Sequence, residues 1–179
     1  MKDLSLHILD IVQNSTRAKA KLVEIYFVDS AKRNTIEIMI KDNGKGMNKE
    51  TLDSVTDPYT TSRTTRKIGL GIPLLKQNVE RCEGELSITS QENYGTILNA
   101  NFKRDHIDRP PTGDLADTIA LIFSGNPETN FIFTQITDNG EYTIKTTEIK
   151  EAIDGISIAD PQVAKLMKEM IRENLLEIC

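Results

Sequence analysis

This sequence of 179 residues contains no tryptophan, no long apolar run and only two cysteines. No stretch approaches the roughly 18 consecutive apolar residues of a membrane-spanning helix, so we expect no membrane contact and a cytoplasmic location. The two cysteines, Cys82 and Cys179, have neither metal-ligand spacing nor the number that a disulfide framework needs, and we expect free thiols. The composition, 38% apolar and 27% charged, is that of an ordinary soluble globular protein with one sizeable core.

Basic residues become scarce in the second part of the chain. Residues 1–104 contain 16 Lys and Arg against 13 Asp and Glu, whereas residues 105–179 contain 6 against 14. Nucleic-acid binding needs Lys and Arg gathered on one face, so this acidic part argues against a nucleic-acid partner. We expect a protein partner instead.

Periodic apolar residues predict an α/β fold. Helices are predicted where apolar residues recur every three or four positions, at residues 4–18, 71–84, 113–124, 147–153 and 161–178. Strands are predicted where apolar and polar residues alternate, at residues 21–29, 35–41, 85–90, 96–102, 131–137 and 141–146.

The segment 105–113 is the best candidate boundary, because it contains Pro110-Pro111 and several charges. We therefore divide the chain into a first domain at 1–104, a linker at 105–113, and a small acidic α+β extension at 114–179. The extension is expected to dock a partner or to regulate the first domain.

Four polar side chains occupy one stripe of the first helix. His7, Asp10, Asn14 and Arg17 follow one another at intervals of three, four and three, which places them along one helix face.

Two glycine motifs follow the polar stripe. The strand at 35–41 runs into Asp42-Asn43-Gly44-Lys45-Gly46-Met47, whose glycines allow backbone geometry that other residues resist. The motif Gly69-Leu70-Gly71 opens a helix with Pro73 in its first turn. A segment dense in Thr, Arg and Lys, at 56–67, precedes it and reads as a mobile loop. Each motif alone is weak evidence of a nucleotide site.

Together and in this order, the motifs resemble those of the GHKL family over about residues 4–103. That family includes gyrase, mismatch-repair ATPases, heat-shock chaperones, sensor histidine kinases and anti-sigma-factor kinases. Asn14-Ser-Thr-Arg17-Ala and Ile68-Gly-Leu-Gly-Ile72 look closest to the histidine-kinase version. The resemblance implies a two-layer α/β sandwich of the GHKL (Bergerat) type, with a mixed, mostly antiparallel sheet and helices on one face.

The resemblance also implies ATP and Mg²⁺ as ligands. Asn14 matches the family's Mg²⁺ ligand, since its carboxamide offers the hard oxygen that this ion prefers. Arg17 matches a basic residue that reaches a phosphate, although a solvated surface charge is the alternative. Asp42 matches the carboxylate that accepts the adenine amino hydrogen and would repel the guanine carbonyl.

Further base and phosphate contacts are carried over residue by residue. For the base, these are Gly44, Gly46, the apolar side chain of Met47, and the hydroxyl of Thr96 acting through water. For the phosphates, they are the backbone at Gly69, Leu70 and Gly71, where a helix start attracts anions. A basic lid would comprise Arg63, Arg66 and Lys67, with Lys67 standing where the family usually has its first glycine.

Asp10 is the candidate catalytic residue. It lies one turn before Asn14, where ATP-hydrolysing members and anti-sigma kinases carry a glutamate. Aspartate can act as a base but is one methylene shorter; alternatively it only orients the Mg²⁺ shell through water. His7, one turn earlier, could hydrogen-bond Asp10.

Three functions remain open from the sequence. The first is a stand-alone kinase or anti-sigma-type regulatory module acting on a response regulator, a sigma factor or another acceptor protein. The second is a slow ATPase whose hydrolysis drives a conformational or dimerisation switch, in which a homodimer would take part. The third is a non-catalytic module that binds ATP as a structural ligand.

Overall fold

The computed structural model describes residues 3–55 and 71–179. The strands within this part of the chain are β1 Leu22–Ser30, β2 Thr35–Asp42, β3 Glu85–Gln91, β4 Gly95–Lys103, β5 Asn130–Thr137 and β6 Glu141–Lys145. The helices are α1 Leu4–Arg17, α2 Lys49–Ser54, α3 Gly71–Arg81, α4 Leu115–Gly125, α5 Thr146–Ala152 and α6 Pro161–Glu177. The predicted elements are confirmed, with ends that differ by up to three residues.

The six strands form one mixed sheet in the order β3-β4-β2-β1-β5-β6. The pairing of β1 with β5 is parallel, and the other pairings are antiparallel. The α/β fold with a mixed, mostly antiparallel sheet is therefore confirmed.

The buried face of the sheet is built by alternation along each strand. Side chains alternate between the two faces of a strand, and those of one set, such as Ile36, Ile38 and Ile40 in β2, are almost fully buried. They join a single core with the apolar stripe of α1, where Leu4, Ile8 and other residues face inward. The polar stripe of α1 lies beside this apolar stripe, and its first member, His7, is itself buried.

The C-terminal segment shares this core. Strand β5 lies beside β1, with Val23 opposite Phe131 and Ile25 opposite Phe133, and all four side chains are fully buried. Helix α4 contacts both α1 and α6. The role of residues 114–179 in docking or regulation stays a prediction.

The segment between β4 and α4 is attached to the start of α1. The carbonyls of Pro111 and Thr112 accept hydrogen bonds of 2.9 Å from the N–H groups of Leu4 and Ser5. These N–H groups lie in the first turn, where a helix has no internal acceptors for them. The linker thus caps the helix that carries Asp10 and Asn14.

None of the helices in the described ranges has the length and apolarity needed to cross a bilayer.

Candidate functional site

The carboxylate of Asp42 is fixed in place at the end of β2. Its side chain is 8% exposed. The Ser15 hydroxyl donates to Oδ2 at 2.7 Å, and the N–H of Gly44 donates to Oδ1 at 2.8 Å. Each carboxylate oxygen has more than one acceptor site, so the group is held rigidly and still accepts further hydrogen bonds.

Sequence reasoning missed Ser15. It sits in the spacing pattern that also contains the apolar residues Leu4, Ile8 and Ile11, and it is 3% exposed. A serine within an otherwise apolar stripe, 27 residues before the Asp42 that begins the glycine motif, would predict little by itself. Its partner becomes known only when α1 packs over the end of β2.

Thr96 and Ser90 extend this polar row across two more strands. Thr96 is the cross-strand partner of Asp42, and Ser90 is the partner of Thr96. Such pairs have Cβ atoms about 5 Å apart on the same face. The Ser90 hydroxyl oxygen lies 2.9 Å from Thr96 Oγ1 and receives the N–H of Met47 at 2.9 Å.

Sequence reasoning placed Thr96 in the site but missed Ser90. The available signal was weak: in β3 the alternate positions Leu86 and Ile88 pack against the core, and Ser90 continues that series as a polar residue. The contacts between the strands bring it to the site.

We define the glycine loop as residues 42–47. Gly46 has a positive φ of 63°, and a Cβ on it would overlap the carbonyl of Gln91. A Cβ on Gly44 would crowd Ala18. The glycines are therefore required by close packing of the loop against the protein itself, a reason that differs from the approach to a ligand expected from the sequence.

The glycine loop is also tied at both sides by backbone hydrogen bonds. The N–H of Lys45 donates to the carbonyl of Ala18 at 3.0 Å, and the Lys45 carbonyl accepts from Asn93 at 2.7 Å. Met47, which ends the loop, is half-buried against the core. The loop is held between the end of α1 and the β3–β4 turn.

Asp10 lies against the start of α3. A Cβ built on Gly71 would overlap Oδ2 of Asp10, so a glycine at this position lets the carboxylate approach the helix backbone. The N-terminus of a helix carries a partial positive charge. This arrangement places a carboxylate beside the predicted phosphate-binding end of α3.

Asn14, one turn after Asp10, carries a buried amide nitrogen. Within the described residues its Nδ2 has no hydrogen-bond partner. A buried polar group without a partner costs stability unless a ligand or water satisfies it. The chemistry of this amide therefore fits a ligand that completes its hydrogen bonds.

His7 does not form the hydrogen bond to Asp10 that was expected from the sequence. Its Nε2 lies 2.8 Å from Nδ2 of Asn78 in α3, and that expectation was wrong because α3 packs closely on this end of α1. The Nδ1 of His7 is buried and has no hydrogen-bond partner among the described residues. Burial is the main cause that lowers the pKa of His7 to about 4, so the ring is neutral near pH 7.

The other predicted site residues are less closely assembled. Arg17 is solvent-exposed in the last turn of α1, and its phosphate contact stays a prediction. The remaining ones lie outside the described residues: Arg63, Arg66, Lys67, Gly69 and Leu70.

The described residues fit an adenine nucleotide. A buried carboxylate suits the exocyclic amino group of adenine, and a carboxamide oxygen next to a helix start suits Mg²⁺ bound to phosphates. These features lie on α1, the glycine loop, β4 and α3.

A family model described as "Histidine kinase-, DNA gyrase B-, and HSP90-like ATPase" matches residues 2–106. Sensor histidine kinase YvrG of Bacillus subtilis is 30% identical over 99 residues, which cover 53% of this chain and 17% of that protein. A putative sensor protein of Shewanella frigidimarina is 32% identical over 97 residues, which cover 53% of this chain and 15% of that protein. The chain thus spans less than a fifth of the length of these relatives.

Two solved structures have a similar fold. The ADP-complexed MutL ATPase domain of Aquifex aeolicus has a TM-score of 0.54 and 18% identity, with 86% of this chain and 68% of that chain covered. The N-terminal domain of a DNA repair protein also has a TM-score of 0.54, at 19% identity, covering 80% of this chain and 52% of that one.

Proposed function

Since this chain belongs to the family of histidine kinase-, DNA gyrase B- and HSP90-like ATPases, we propose that it binds Mg-ATP and transfers the γ-phosphoryl group to a partner protein. The site comprises α1, the glycine loop, Thr96 and the start of α3. The similarity to a sensor histidine kinase supports a kinase or an anti-sigma-type regulatory module over other members of the family.

The observation that carries this proposal is the buried and doubly hydrogen-bonded carboxylate of Asp42. A carboxylate held in this way offers only acceptors to a ligand. The exocyclic amino group of adenine donates hydrogen bonds, whereas guanine has a carbonyl oxygen at that position and would be repelled. Asp42 therefore selects ATP over GTP.

The polar stripe of α1 and the start of α3 serve the phosphates. Asn14 would hold Mg²⁺ through its amide oxygen, and the ion would neutralise charge on the phosphates. Arg17 and the backbone of Gly69, Leu70 and Gly71 bind phosphate oxygens. Arg63, Arg66 and Lys67, which lie outside the described residues, would supply positive charge to the triphosphate as a basic lid.

Asp10 acts as the base in phosphoryl transfer. It accepts the proton of the acceptor side chain as that side chain's oxygen or nitrogen forms a bond to the γ-phosphorus. The bond from this phosphorus to the bridging oxygen breaks, and ADP departs with the electron pair. The acidic C-terminal segment contributes a surface for docking the partner.

Calorimetric titration of the full chain with ATP and with GTP, each with Mg²⁺, tests the nucleotide site. ATP is expected to bind at least roughly 100-fold more tightly than GTP, because guanine places a carbonyl against the Asp42 carboxylate and leaves it unpaired. Equal affinity for the two nucleotides would remove the proposed role of Asp42. A folded protein that binds neither nucleotide would contradict the proposal as a whole.

A slow ATPase is the second candidate, and the contact between Asp10 and Gly71 favours it. A carboxylate at the phosphate-binding end of α3 is positioned to accept a proton from water instead of a protein side chain. Water then adds to the γ-phosphorus, and ADP and inorganic phosphate are released. In such an enzyme, turnover changes the conformation or the dimerisation of the chain.

Phosphate release by the purified chain distinguishes the two candidates. A kinase is expected to bind ATP without releasing phosphate, and to transfer the phosphoryl group only when an acceptor is present. An ATPase is expected to release phosphate in the absence of any acceptor. If release is observed, Asp10→Asn should slow it by about 100-fold, within the range that a general base contributes, and leave ATP affinity within roughly twofold.

The matched control for this assay is Asp105→Asn, which removes an exposed carboxylate beside Asn34. That position adjoins the opposite end of β2 from the site. If the rate of phosphate release is the same in Asp10→Asn as in the wild type, Asp10 is excluded as the base. ATP binding without release or transfer would favour the third candidate, a non-catalytic ATP-binding module.

A further inference from the structure

The hydroxyl of Ser90 lies at the junction of three hydrogen-bonding groups beside the adenine pocket. We infer that Ser90 is a positioning residue that turns the Thr96 hydroxyl into a hydrogen-bond donor towards N1 of adenine, directly or through one water. This inference rests on the proposed ATP site. It concerns a residue of β3 that lies outside the glycine motifs.

The strand register supplies the geometry. Ser90, Thr96 and Asp42 are successive cross-strand partners in β3, β4 and β2, and they share the face that carries Ile88, Leu98 and Ile40. Asp42 occupies one end of the row and Ser90 the other. Thr96 is therefore held between Asp42, the carboxylate proposed to receive the amino group, and Ser90.

The hydrogen bonds around Ser90 leave two acceptors for its single proton. The N–H of Met47 can only donate, and it points to Ser90 Oγ at 2.9 Å. Ser90 then has one proton to give, with the Gly95 carbonyl and Thr96 Oγ1 each 2.9 Å away. If this proton goes to Thr96, the Thr96 proton is free to point into the pocket.

Adenine selects that direction. Its ring nitrogen N1 adjoins the carbon that bears the amino group and accepts hydrogen bonds, so it needs a donor next to Asp42. Two lone pairs facing each other would repel. The chain of donors then runs from the Met47 N–H through Ser90 and Thr96 to N1, and bonds arranged in one direction reinforce one another.

The same chain also explains how the pocket reads two atoms of the base. Asp42 offers an acceptor to the amino group, and Thr96 offers a donor to N1. Guanine carries an oxygen and an N–H at the corresponding positions, so both contacts are reversed. Without Ser90, the Thr96 hydroxyl is free to rotate and the second contact loses its fixed direction.

The inference is tested by titrating Ser90→Ala with Mg-ATP and with Mg-1-deaza-ATP, in which a C–H group replaces N1. We expect the dissociation constant for ATP to rise about tenfold, the effect of one net hydrogen bond, and that for 1-deaza-ATP to change less than about twofold. The matched control is Ser87→Ala, which removes an exposed hydroxyl from the opposite face of β3 and should leave both constants unchanged.

Two further variants isolate the hydroxyl from the shape of the side chain. Ser90→Thr keeps the hydroxyl, whereas Ser90→Val has nearly the same shape without it, so only the valine variant should lose ATP affinity. This pair also replaces Ser90→Ala if that variant does not fold. In a Thr96→Val background, removal of the Ser90 hydroxyl should have no additional effect.

Equal weakening of ATP and 1-deaza-ATP would show that Ser90 only supports the fold and would overturn the inference. If Ser90→Ala binds ATP as tightly as the wild type, and the wild type binds ATP selectively, the inference is overturned. The proposed function then remains intact. A wild-type protein that binds no ATP would overturn both.

Discussion

Asp42→Asn is expected to weaken ATP binding by roughly 100-fold, or about 3 kcal/mol. The substitution replaces one carboxylate oxygen with an NH₂ group, and it removes the negative charge that strengthens the bond from the adenine amino group. The Gly44 N–H and the Ser15 hydroxyl already direct protons at this group. The Gly44 N–H can only donate, so the amide keeps its oxygen there and turns its NH₂ group towards the Ser15 hydroxyl, which can also accept. The NH₂ group offers no acceptor to the adenine amino group.

The size of the effect is measured by calorimetric titration with Mg-ATP and Mg-GTP. Expressed as a free energy, the preference for ATP over GTP should decrease by more than the free energy of unfolding does. The reason is that an amide also presents a donor that tolerates the guanine carbonyl. Asp105→Asn serves as the control, since it changes the same functional group at the far end of β2. Wild-type selectivity in Asp42→Asn would exclude this carboxylate as the determinant of base choice.

Removal of residues 105–179 is expected to abolish folding of the remaining chain. The deletion takes away β5, which covers the edge of β1 over eight paired positions, and it uncaps α1 at Leu4 and Ser5. It also removes fully buried side chains such as Phe131, Phe133 and Phe123. At about 2 kcal/mol for each buried side chain, five of them match the whole stability of a typical domain.

Solubility, thermal unfolding and ATP titration of fragment 1–104 measure this outcome. The full chain, made with the same tag, is the first control. Co-expression of fragment 105–179 as a separate chain should restore a soluble complex, because it returns β5 and α4 to the exposed edge. A fragment 1–104 that unfolds cooperatively and binds ATP by itself would instead support two separable domains, as the composition of the linker indicates.

The site could be predicted from the sequence only where residue type and spacing are unusual. Asp42 and its following glycines belong to a set of motifs that is informative through its order, and Asn14 lies at helical spacing from Asp10. Ser15 and Ser90 could not be found, because a serine is compatible with many environments. Their importance comes from partners 27 and 6 residues away, which the packing of α1 on β2 and the β3–β4 pairing supply.

The reason for the glycines also needed the tertiary structure. The sequence indicates where a backbone must be unhindered but not what approaches it. At Gly46 this neighbour is the Gln91 carbonyl, and at Gly71 it is the Asp10 carboxylate. The first contact holds the glycine loop on the β3–β4 turn, whereas the second brings a candidate base to the start of α3.

The sequence by itself determined the helices and strands, because 3.6-residue and two-residue periodicity are local properties of the chain. Motif order alone also indicated an ATP-binding family. The tertiary structure decided that β5 joins the sheet beside β1, since two buried apolar strands about 100 residues apart carry no local signal of their pairing. It likewise decided which hydroxyls hold Asp42 and Thr96, because a hydrogen bond depends on distances of about 3 Å that only the packed chain establishes.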